Sequence, residues 1–140
     1  MSTTMTQTAV EAKFQTADLE VKHVSVKGLG VFARRPFEPG DVVEVAPIIV
    51  VIPPERVPQI EATDIMDYYY YWGPDLRSAA IAGGFGSFYN HSPRPNARMV
   101  RDHEQGRLLV VALERIPAGQ EITFNYRAAR DDEPLGFDPV

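Results

Sequence analysis

Residues 83–96 read GGFGSFYNHSPRPN, and this stretch decides how the rest of the chain is interpreted. It combines a glycine cluster, aromatic side chains and the polar series Asn90-His91-Ser92, followed by a second asparagine, Asn96. Polar residues this dense beside aromatic rings indicate either buried, satisfied hydrogen bonds or the wall of a ligand pocket. The segment holds one histidine and no Asp or Glu, so we expect no metal site here.

Two further segments have unusual compositions. Residues 27–33 read KGLGVFA, and glycines one residue apart allow the backbone to approach a ligand closely. The third glycine and following helix of a dinucleotide-binding motif are missing, and for this segment taken alone a tight turn between strands is the preferred interpretation. In EITFNY, residues 121–126, Ile122, Phe124 and Tyr126 share one face of a strand. They line a cavity or form an aromatic stripe in the core.

Residues 19–126 are rich in β-branched residues and punctuated by proline and glycine, a pattern typical of many short strands. The continuous apolar run Val42–Ile52 predicts a strand covered on both faces. Residues 102–106, DHEQG, predict a hairpin loop. Only 10–14 and 74–82 have a helical pattern, so we expect a mainly β fold with little helix.

One local pattern occurs twice. Residues 35–42, RPFEPGDV, resemble residues 115–122, RIPAGQEI, and in each a turn reaches a glycine, Gly40 or Gly119, before a strand pattern begins. Nothing else recurs at a fixed period, so this is a turn used twice and not a repeat architecture.

Length and composition limit the class of protein. The chain has 140 residues, the size of one domain, and no cysteine, which excludes disulfides, thiolate zinc sites and cysteine nucleophiles. The net charge of −5 disfavours direct nucleic-acid binding and is compatible with a basic partner or with ordinary solubility. Because no apolar run reaches the length of a membrane span and no secretory signal is visible, we expect no membrane association and a cytoplasmic location.

Three segments in this order, GLGVFA at 28–33, NHSPRPN at 90–96 and EITFNY at 121–126, resemble the signature segments of the SET domain. Between them, YYYYWG at 68–73 and GFGSFY at 84–89 resemble the run before Asn-His in short members. The resemblance covers about residues 19–126. The chain therefore resembles a SET-domain protein-lysine methyltransferase of the short, single-domain bacterial or viral type.

The resemblance implies a SET-domain (β-clip) fold of short curved sheets with a C-terminal pseudoknot. It divides the chain into a flexible N-terminal segment, 1–17, a SET domain, 18–127, and a C-terminal tail, 128–140. The chain departs from the family pattern at Pro93, where cysteine is usual, at Asn125, where aspartate is common, and at Ala128, where a second aromatic residue often follows.

The resemblance also implies a cofactor, S-adenosyl-L-methionine, and the residues that use it. Tyr126 would be the catalytic tyrosine, and Tyr68, Phe124 and Tyr126 would form the channel for the substrate lysine. No metal is implied. The cofactor-binding residues would be Lys27, Gly28, Leu29, Gly30, Val31, Phe32, Tyr89, Asn90, His91 and Tyr126.

The activity implied is methyl transfer to the side-chain amine of lysine in a protein substrate, such as a histone-like or other basic protein. Direct nucleic-acid binding is not expected, whereas a homodimer is expected. The location would be cytoplasmic or, through the substrate, nucleoid- or chromatin-associated. One alternative is a catalytically weak SET-fold module that binds S-adenosylmethionine or a basic peptide. Another is a small β-clip binding protein of unrelated function.

Overall fold

Two five-stranded sheets form the protein, as seen in a computed structural model that describes residues 12–24 and 28–125. The strands of the first sheet, in spatial order, are Ala12–Gln15 (β1), Leu19–Val24 (β2), Gly28–Ala33 (β3), Glu121–Phe124 (β10) and Asn90–His91 (β7). Those of the second are Tyr70–Trp72 (β5), Ser78–Ala82 (β6), Val42–Ile52 (β4), Arg107–Ala112 (β9) and Ala97–Asp102 (β8). The prediction of a mainly β fold is confirmed.

The segment that connects β4 to β5 contains the helical turns of the described chain. It consists of a 3₁₀ turn, Pro54–Arg56, a five-residue helix α1, Val57–Glu61, and a second 3₁₀ turn, Asp64–Asp67. None of the residues in these three elements is buried. We call residues 54–67 the insertion. Across residues 12–24 and 28–125, no helix has the length and apolar character needed to cross a membrane.

Both short helices predicted from the sequence are wrong. Within 10–14, residues 12–14 belong to β1, which pairs antiparallel with β2; residues 10 and 11 lie outside the described chain. Within 74–82, a turn leads into β6, which pairs with β4 and β5. Pairing with neighbouring strands overrides so short a helical pattern, because an isolated turn of helix is unfavourable without packing. Residues 12–15, which fall within the segment 1–17, form β1.

The apolar run Val42–Ile52 is a single strand, as predicted, but it is not covered on both faces. Val43 and Ala46 are buried, whereas 47% of Val45 and 69% of Ile49 remain exposed. β4 lies in the middle of its sheet, between β9 and β6. Its apolar character therefore reflects a central position in the sheet, and periodicity alone does not show whether another layer covers the second face.

The two similar turns contact each other. Phe37 and Ile116, both fully buried, exchange backbone hydrogen bonds of 2.9 and 2.8 Å in an isolated β-bridge. The glycines that follow them have left-handed backbones, with φ of +87° at Gly40 and +92° at Gly119. The repeated pattern in the sequence therefore produces a matched pair of turns, next to the strands β4 and β10 that they precede.

The hydrophobic core is one cluster to which both sheets contribute. Val21 and Val31 come from the first sheet, Leu108 and Val110 from the second, and all four are 0 or 1% exposed. The predicted hairpin loop, residues 102–106, connects β8 and β9 as expected. The segment in which a C-terminal pseudoknot is expected lies outside the described residues.

Phe37→Ala is expected to lower the free energy of unfolding by about 3–5 kcal/mol, because it leaves a cavity at the bridge that joins the two turns. Urea denaturation of the purified variant measures this loss. Ile49→Ala, at a side chain that is 69% exposed, is the control and should change stability by about 0.5 kcal/mol or less. Equal losses in the two variants would contradict the assignment of Phe37 to the core.

Candidate active site

A cavity of about 800 Å³ is lined by residues of both sheets. This volume lies within the range of about 300–1,000 Å³ that is typical of pockets for small molecules and cofactors. β3 and β7 contribute from the first sheet, β5 and β8 from the second, and the insertion forms part of the rim. The lining residues are Gly28, Leu29, Glu61, Met66, Asp67, Tyr68, Tyr69, Tyr70, Tyr71, Gly86, Ser87, Phe88, Tyr89, Asn90, Met99 and Arg101.

Five of the residues predicted from the sequence meet at this cavity. Gly28 and Leu29 reach it from β3, Tyr89 and Asn90 from the start of β7, and Tyr68 from the segment before β5. These positions are far apart along the chain. Their convergence supports the interpretation of residues 83–96 as part of a pocket wall.

Other predicted residues occupy different positions. Gly30 and Val31 are buried in β3, and the Phe32 ring lies 4.6 Å from the Lys22 ammonium. Phe124 is fully buried, and His91 is half-buried in β7 beside it, since the two are register partners. None of these five is among the lining residues. Two predicted residues, Lys27 and Tyr126, lie outside the described chain.

The Asn90 side chain joins three strands of the first sheet. Its Nδ2 atom donates to the carbonyl oxygen of Leu29 at 2.9 Å and to Oε2 of Glu121 at 2.7 Å. Gly30 makes this arrangement possible. A Cβ atom there would lie 2.6 Å from the Glu121 oxygen and 2.9 Å from Asn90 Nδ2, distances too short for real contacts. The interpretation of the glycine pair as a tight turn is therefore wrong for residues 28–30, which belong to a strand.

Asn96 holds the backbone of the same strand, β10. Its Nδ2 donates to the carbonyl oxygen of Glu121 at 2.8 Å, and its Oδ1 accepts from the backbone N–H of Thr123 at 3.0 Å. The side chain is buried, so these bonds satisfy polar atoms that would otherwise be costly. Both asparagines of the 90–96 segment therefore position β10, which ends at Phe124 and leads towards Tyr126.

A carboxyl–phenol pair joins the two sheets beneath the cavity. Glu44 Oε1 accepts a hydrogen bond from the hydroxyl of buried Tyr89 at 2.6 Å, and its Oε2 accepts from the N–H of Phe85 at 2.8 Å. Burial raises the pKa of Glu44, although both hydrogen bonds act in the opposite direction. Burial and the nearby Glu44 charge raise the pKa of Tyr89 well above its ordinary value, so its hydroxyl stays protonated and donates.

Aromatic rings form a rigid floor next to this pair. The Tyr89 and Phe124 rings are stacked, with centroids 4.7 Å apart, and the Tyr70 ring lies 6.5 Å from Phe124. The Tyr70 hydroxyl donates a hydrogen bond to the carbonyl oxygen of Gly86. The Tyr70 hydroxyl thus binds the 83–89 loop, and the Tyr89 hydroxyl, at the end of that loop, binds Glu44, so the two tyrosines hold both the loop and the floor.

Five of the lining residues lie outside every motif that the sequence analysis singled out. Glu61, Met66 and Asp67 lie on the insertion, whose sequence carries no periodic signal. Met99 and Arg101 are two residues apart on β8 and share a face. That alternation, directly after Asn96, is a signal that could have identified them. Arg101 is 6% exposed and donates from Nε to the carbonyl oxygen of Tyr71 at 2.6 Å.

The rim of the cavity is aromatic and acidic. Tyr68 and Met66 are each about half exposed, and the Tyr69 hydroxyl donates to Oε2 of Glu61 at 2.6 Å. Burial, followed by the hydrogen bond to Glu61, raises the pKa of Tyr69 to about 12. The Tyr69–Glu61 bond connects the end of α1 to the segment that enters β5.

Comparison with known proteins identifies a family. The SET domain family matches residues 28–127. The histone-lysine N-methyltransferase, H3 lysine-37 specific, of Schizosaccharomyces pombe is 27% identical over 108 residues, which cover 77% of this chain and 72% of that protein.

Two solved structures have the same fold. A Plasmodium falciparum protein, named as a proposed histone methyltransferase, aligns with a TM-score of 0.61 and 26% identity over 78% of this chain and 96% of its own. The Neurospora SET domain protein DIM-5, a histone lysine methyltransferase, aligns with a TM-score of 0.59 and 24% identity over 77% of this chain and 51% of its own. The predicted SET-domain fold is confirmed.

Gly30→Ala is expected to lower the free energy of unfolding by about 1–3 kcal/mol, because the added methyl group displaces the Asn90 and Glu121 side chains. Gly83→Ala is the matched control. Its Cβ would lie 3.4 Å from side-chain atoms of Pro47 and Ile49, an ordinary contact, and stability should change little or rise slightly. Thermal unfolding of both variants measures the difference, and equal stability would refute the close approach at Gly30.

Glu44→Gln is expected to keep both hydrogen bonds, since a Gln amide can accept from Phe85 N–H and donate to the Tyr89 oxygen. In the wild type the folded protein holds the Glu44 proton more tightly than the unfolded chain does. The stability from this group is therefore complete below its ordinary pKa of 4.5 and is lost as pH rises through the raised folded value.

The free energy of unfolding of the wild type, relative to Glu44→Gln, should thus fall as pH is raised from about 4 to about 8 in urea titrations. Glu44→Ala is the comparison variant, and it should be the least stable at every pH because it leaves the Tyr89 hydroxyl without its acceptor. A wild type that gains stability over Glu44→Gln with rising pH would contradict the raised pKa.

Proposed function

The chain belongs to the SET-domain family and is a methyltransferase of that family, and we propose that it transfers methyl groups from S-adenosylmethionine to the side-chain amine of lysine in a protein substrate. The relative from Schizosaccharomyces pombe is named a histone-lysine N-methyltransferase, which supports a lysine acceptor. One observation carries the proposal: Gly28, Leu29 and Asn90 line the same cavity as the tyrosines 68–71.

The residues at the first-sheet end of the cavity fit a nucleoside-sized cofactor. Gly28 has φ +88°, and among the described residues no atom lies within 4 Å of where its Cβ would be, so the backbone borders open space. Leu29 and Asn90 complete this end. Gly28, Leu29, Asn90 and Tyr89 would hold S-adenosylmethionine, which when bound supplies an electrophilic methyl group on a sulfonium. Aromatic rings favour such a cation by about 0.5–2 kcal/mol.

At the other end of the cavity, tyrosine side chains favour the neutral form of the substrate lysine amine. A free lysine has a pKa near 10.4, so a neutral amine near pH 7.4 costs about 4 kcal/mol. Tyr68 and Tyr70 provide walls that remove water from the ammonium, which lowers its pKa and favours the neutral nucleophile. No general base is proposed, and the proton leaves to solvent.

Alignment of the lysine amine with the methyl group contributes more to catalysis than the lowered pKa of the amine does. Holding two reacting groups in line supplies roughly 7–11 kcal/mol, which exceeds the cost of the neutral amine. The Tyr89–Phe124 stack, the Glu44–Tyr89 bond and the Tyr70 bond to Gly86 keep the cavity floor rigid, and this rigidity supports the alignment. We propose that Tyr126 orients the amine through its hydroxyl and that Phe124, in the floor, anchors the end of β10, from which the chain continues to Tyr126.

One alternative is a module that binds S-adenosylmethionine or a basic peptide with little turnover. Ala128, which stands where an aromatic residue often closes the pocket, favours it. The rim residues Glu61 and Asp67 support a basic substrate for either function. A homodimer and a cytoplasmic or chromatin-associated location stay predictions.

Incubation with radiolabelled S-adenosylmethionine and a cell extract is expected to label discrete proteins on lysine. Tyr126→Phe should reduce the rate by about 100-fold or more, because it removes a hydroxyl that acts on the reacting amine. Calorimetric binding of S-adenosylmethionine to the variant is the control, and the cofactor affinity should fall far less than the rate. Binding without any label in the wild type would favour the alternative module. No binding of S-adenosylmethionine would overturn the proposed function and the cofactor-binding form of the module.

A further inference from the structure

A second concavity, smaller than the cavity, lies on the outer side of β5. Its volume is about 280 Å³, below the range of about 300–1,000 Å³ typical of pockets for small molecules. We call it the side groove. Its apolar walls come from the insertion and from the turn before β6, and they consist of Pro54, Val57, Pro58 and Leu76. A space of this size and character suits one apolar side chain.

The side groove and the cavity share a wall. Glu61, Tyr69 and Tyr71 line both spaces. The hydrogen bond from the Tyr69 hydroxyl to Glu61 holds this wall together. A chain that places one side chain in the cavity can therefore place another in the groove across a single layer of residues.

Leu76 adds an independent observation. It has φ +59°, the one left-handed backbone among the non-glycine residues of the described chain. Its N–H donates to the carbonyl oxygen of Gly73 at 3.0 Å, in a turn where glycine or asparagine would fit with less strain. A strained backbone conformation of this kind persists only where the surrounding structure maintains it, and such conformations cluster at ligand sites. The leucine side chain is what forms one wall of the side groove.

The charges near the groove do not favour a charged occupant. Arg77 also lines it, but its guanidinium lies 4.0 Å from the Asp75 carboxylate and is largely exposed. Glu61 is engaged by Tyr69. With one exposed ion pair and one hydrogen-bonded carboxylate at its edges, the groove selects by apolar contact.

We propose that the side groove binds an apolar side chain of the protein substrate, two or three residues from the lysine that enters the cavity. In an extended peptide, alternate residues on one side are about 7 Å apart, a spacing that suits two sites separated by one layer of side chains. This inference rests on the proposed function and adds sequence selectivity to it. Leu76, Val57 and the face of Tyr71 would determine that selectivity.

A peptide library tests the inference, with lysine fixed at the centre and four randomised positions on either side. The library is incubated with wild type and radiolabelled S-adenosylmethionine, and the labelled peptides are sequenced. The wild type should enrich Leu, Ile, Val or Met at one position within three residues of the lysine.

Leu76→Gly and Leu76→Asn should abolish this enrichment and raise KM for the selected peptide by about 10-fold, with kcat and KM for S-adenosylmethionine unchanged. Both should unfold at the wild-type temperature or higher, because they relieve the strained backbone. Leu113→Asn, at an exposed leucine outside both concavities, is the control and should retain the wild-type selection.

The outcomes separate the two proposals. Labelled peptides without apolar enrichment, or enrichment that survives in both Leu76 variants, would overturn the side groove and leave lysine methylation intact. Loss of enrichment in Leu113→Asn as well would also overturn it. A wild type that labels neither the library nor any protein of a cell extract would overturn the proposed function, and the inference with it.

Discussion

The contact between the Asn90 amide and the Glu121 carboxylate, made across the bare backbone of Gly30, is the constraint on which the site depends. Through it β3, β7 and β10 are held at one place, although their residues come from three distant parts of the chain. The short parallel pairing of β7 with β10 has few backbone hydrogen bonds of its own. Side-chain bonds therefore supply much of its register, and they work only because a glycine leaves room for them.

Partly buried hydrogen bonds of Glu44 connect the second sheet to this part of the first, and burial of the Glu44 carboxyl group costs free energy. Burial of the Glu44 carboxylate is unfavourable, as its raised pKa indicates, and the bonds from Tyr89 and Phe85 offset part of that penalty. Such a pair contributes geometry more than stability. It sets the Tyr89 ring over Phe124, so that residues of both sheets form a single cavity. The exposed insertion, by contrast, shapes the rim and the side groove without adding to the core.

Local patterns in the sequence predicted the elements that local physics controls. The apolar run Val42–Ile52 and the loop at 102–106 correspond to a strand and a hairpin, because residue preference and turn chemistry act over a few residues. The helical patterns at 10–14 and 74–82 were too short to resist pairing with neighbouring strands. The exposed face of β4 could not be predicted, because an apolar run does not reveal what lies above it.

The sequence by itself determined the family, through three motifs in a fixed order, and with it the segments that meet at the site. It also determined the residue types that make this meeting possible: a glycine without a side chain and two asparagines that donate and accept. Only the tertiary structure decided which of those residues face the cavity, that Phe124 lies beneath it, and that Glu61, Met99 and Arg101 line it. The physical reason is that the direction and burial of a side chain depend on pairing and packing between segments distant in the chain. Sequence patterns, in contrast, reflect the conformational preferences of residues that are adjacent in the chain.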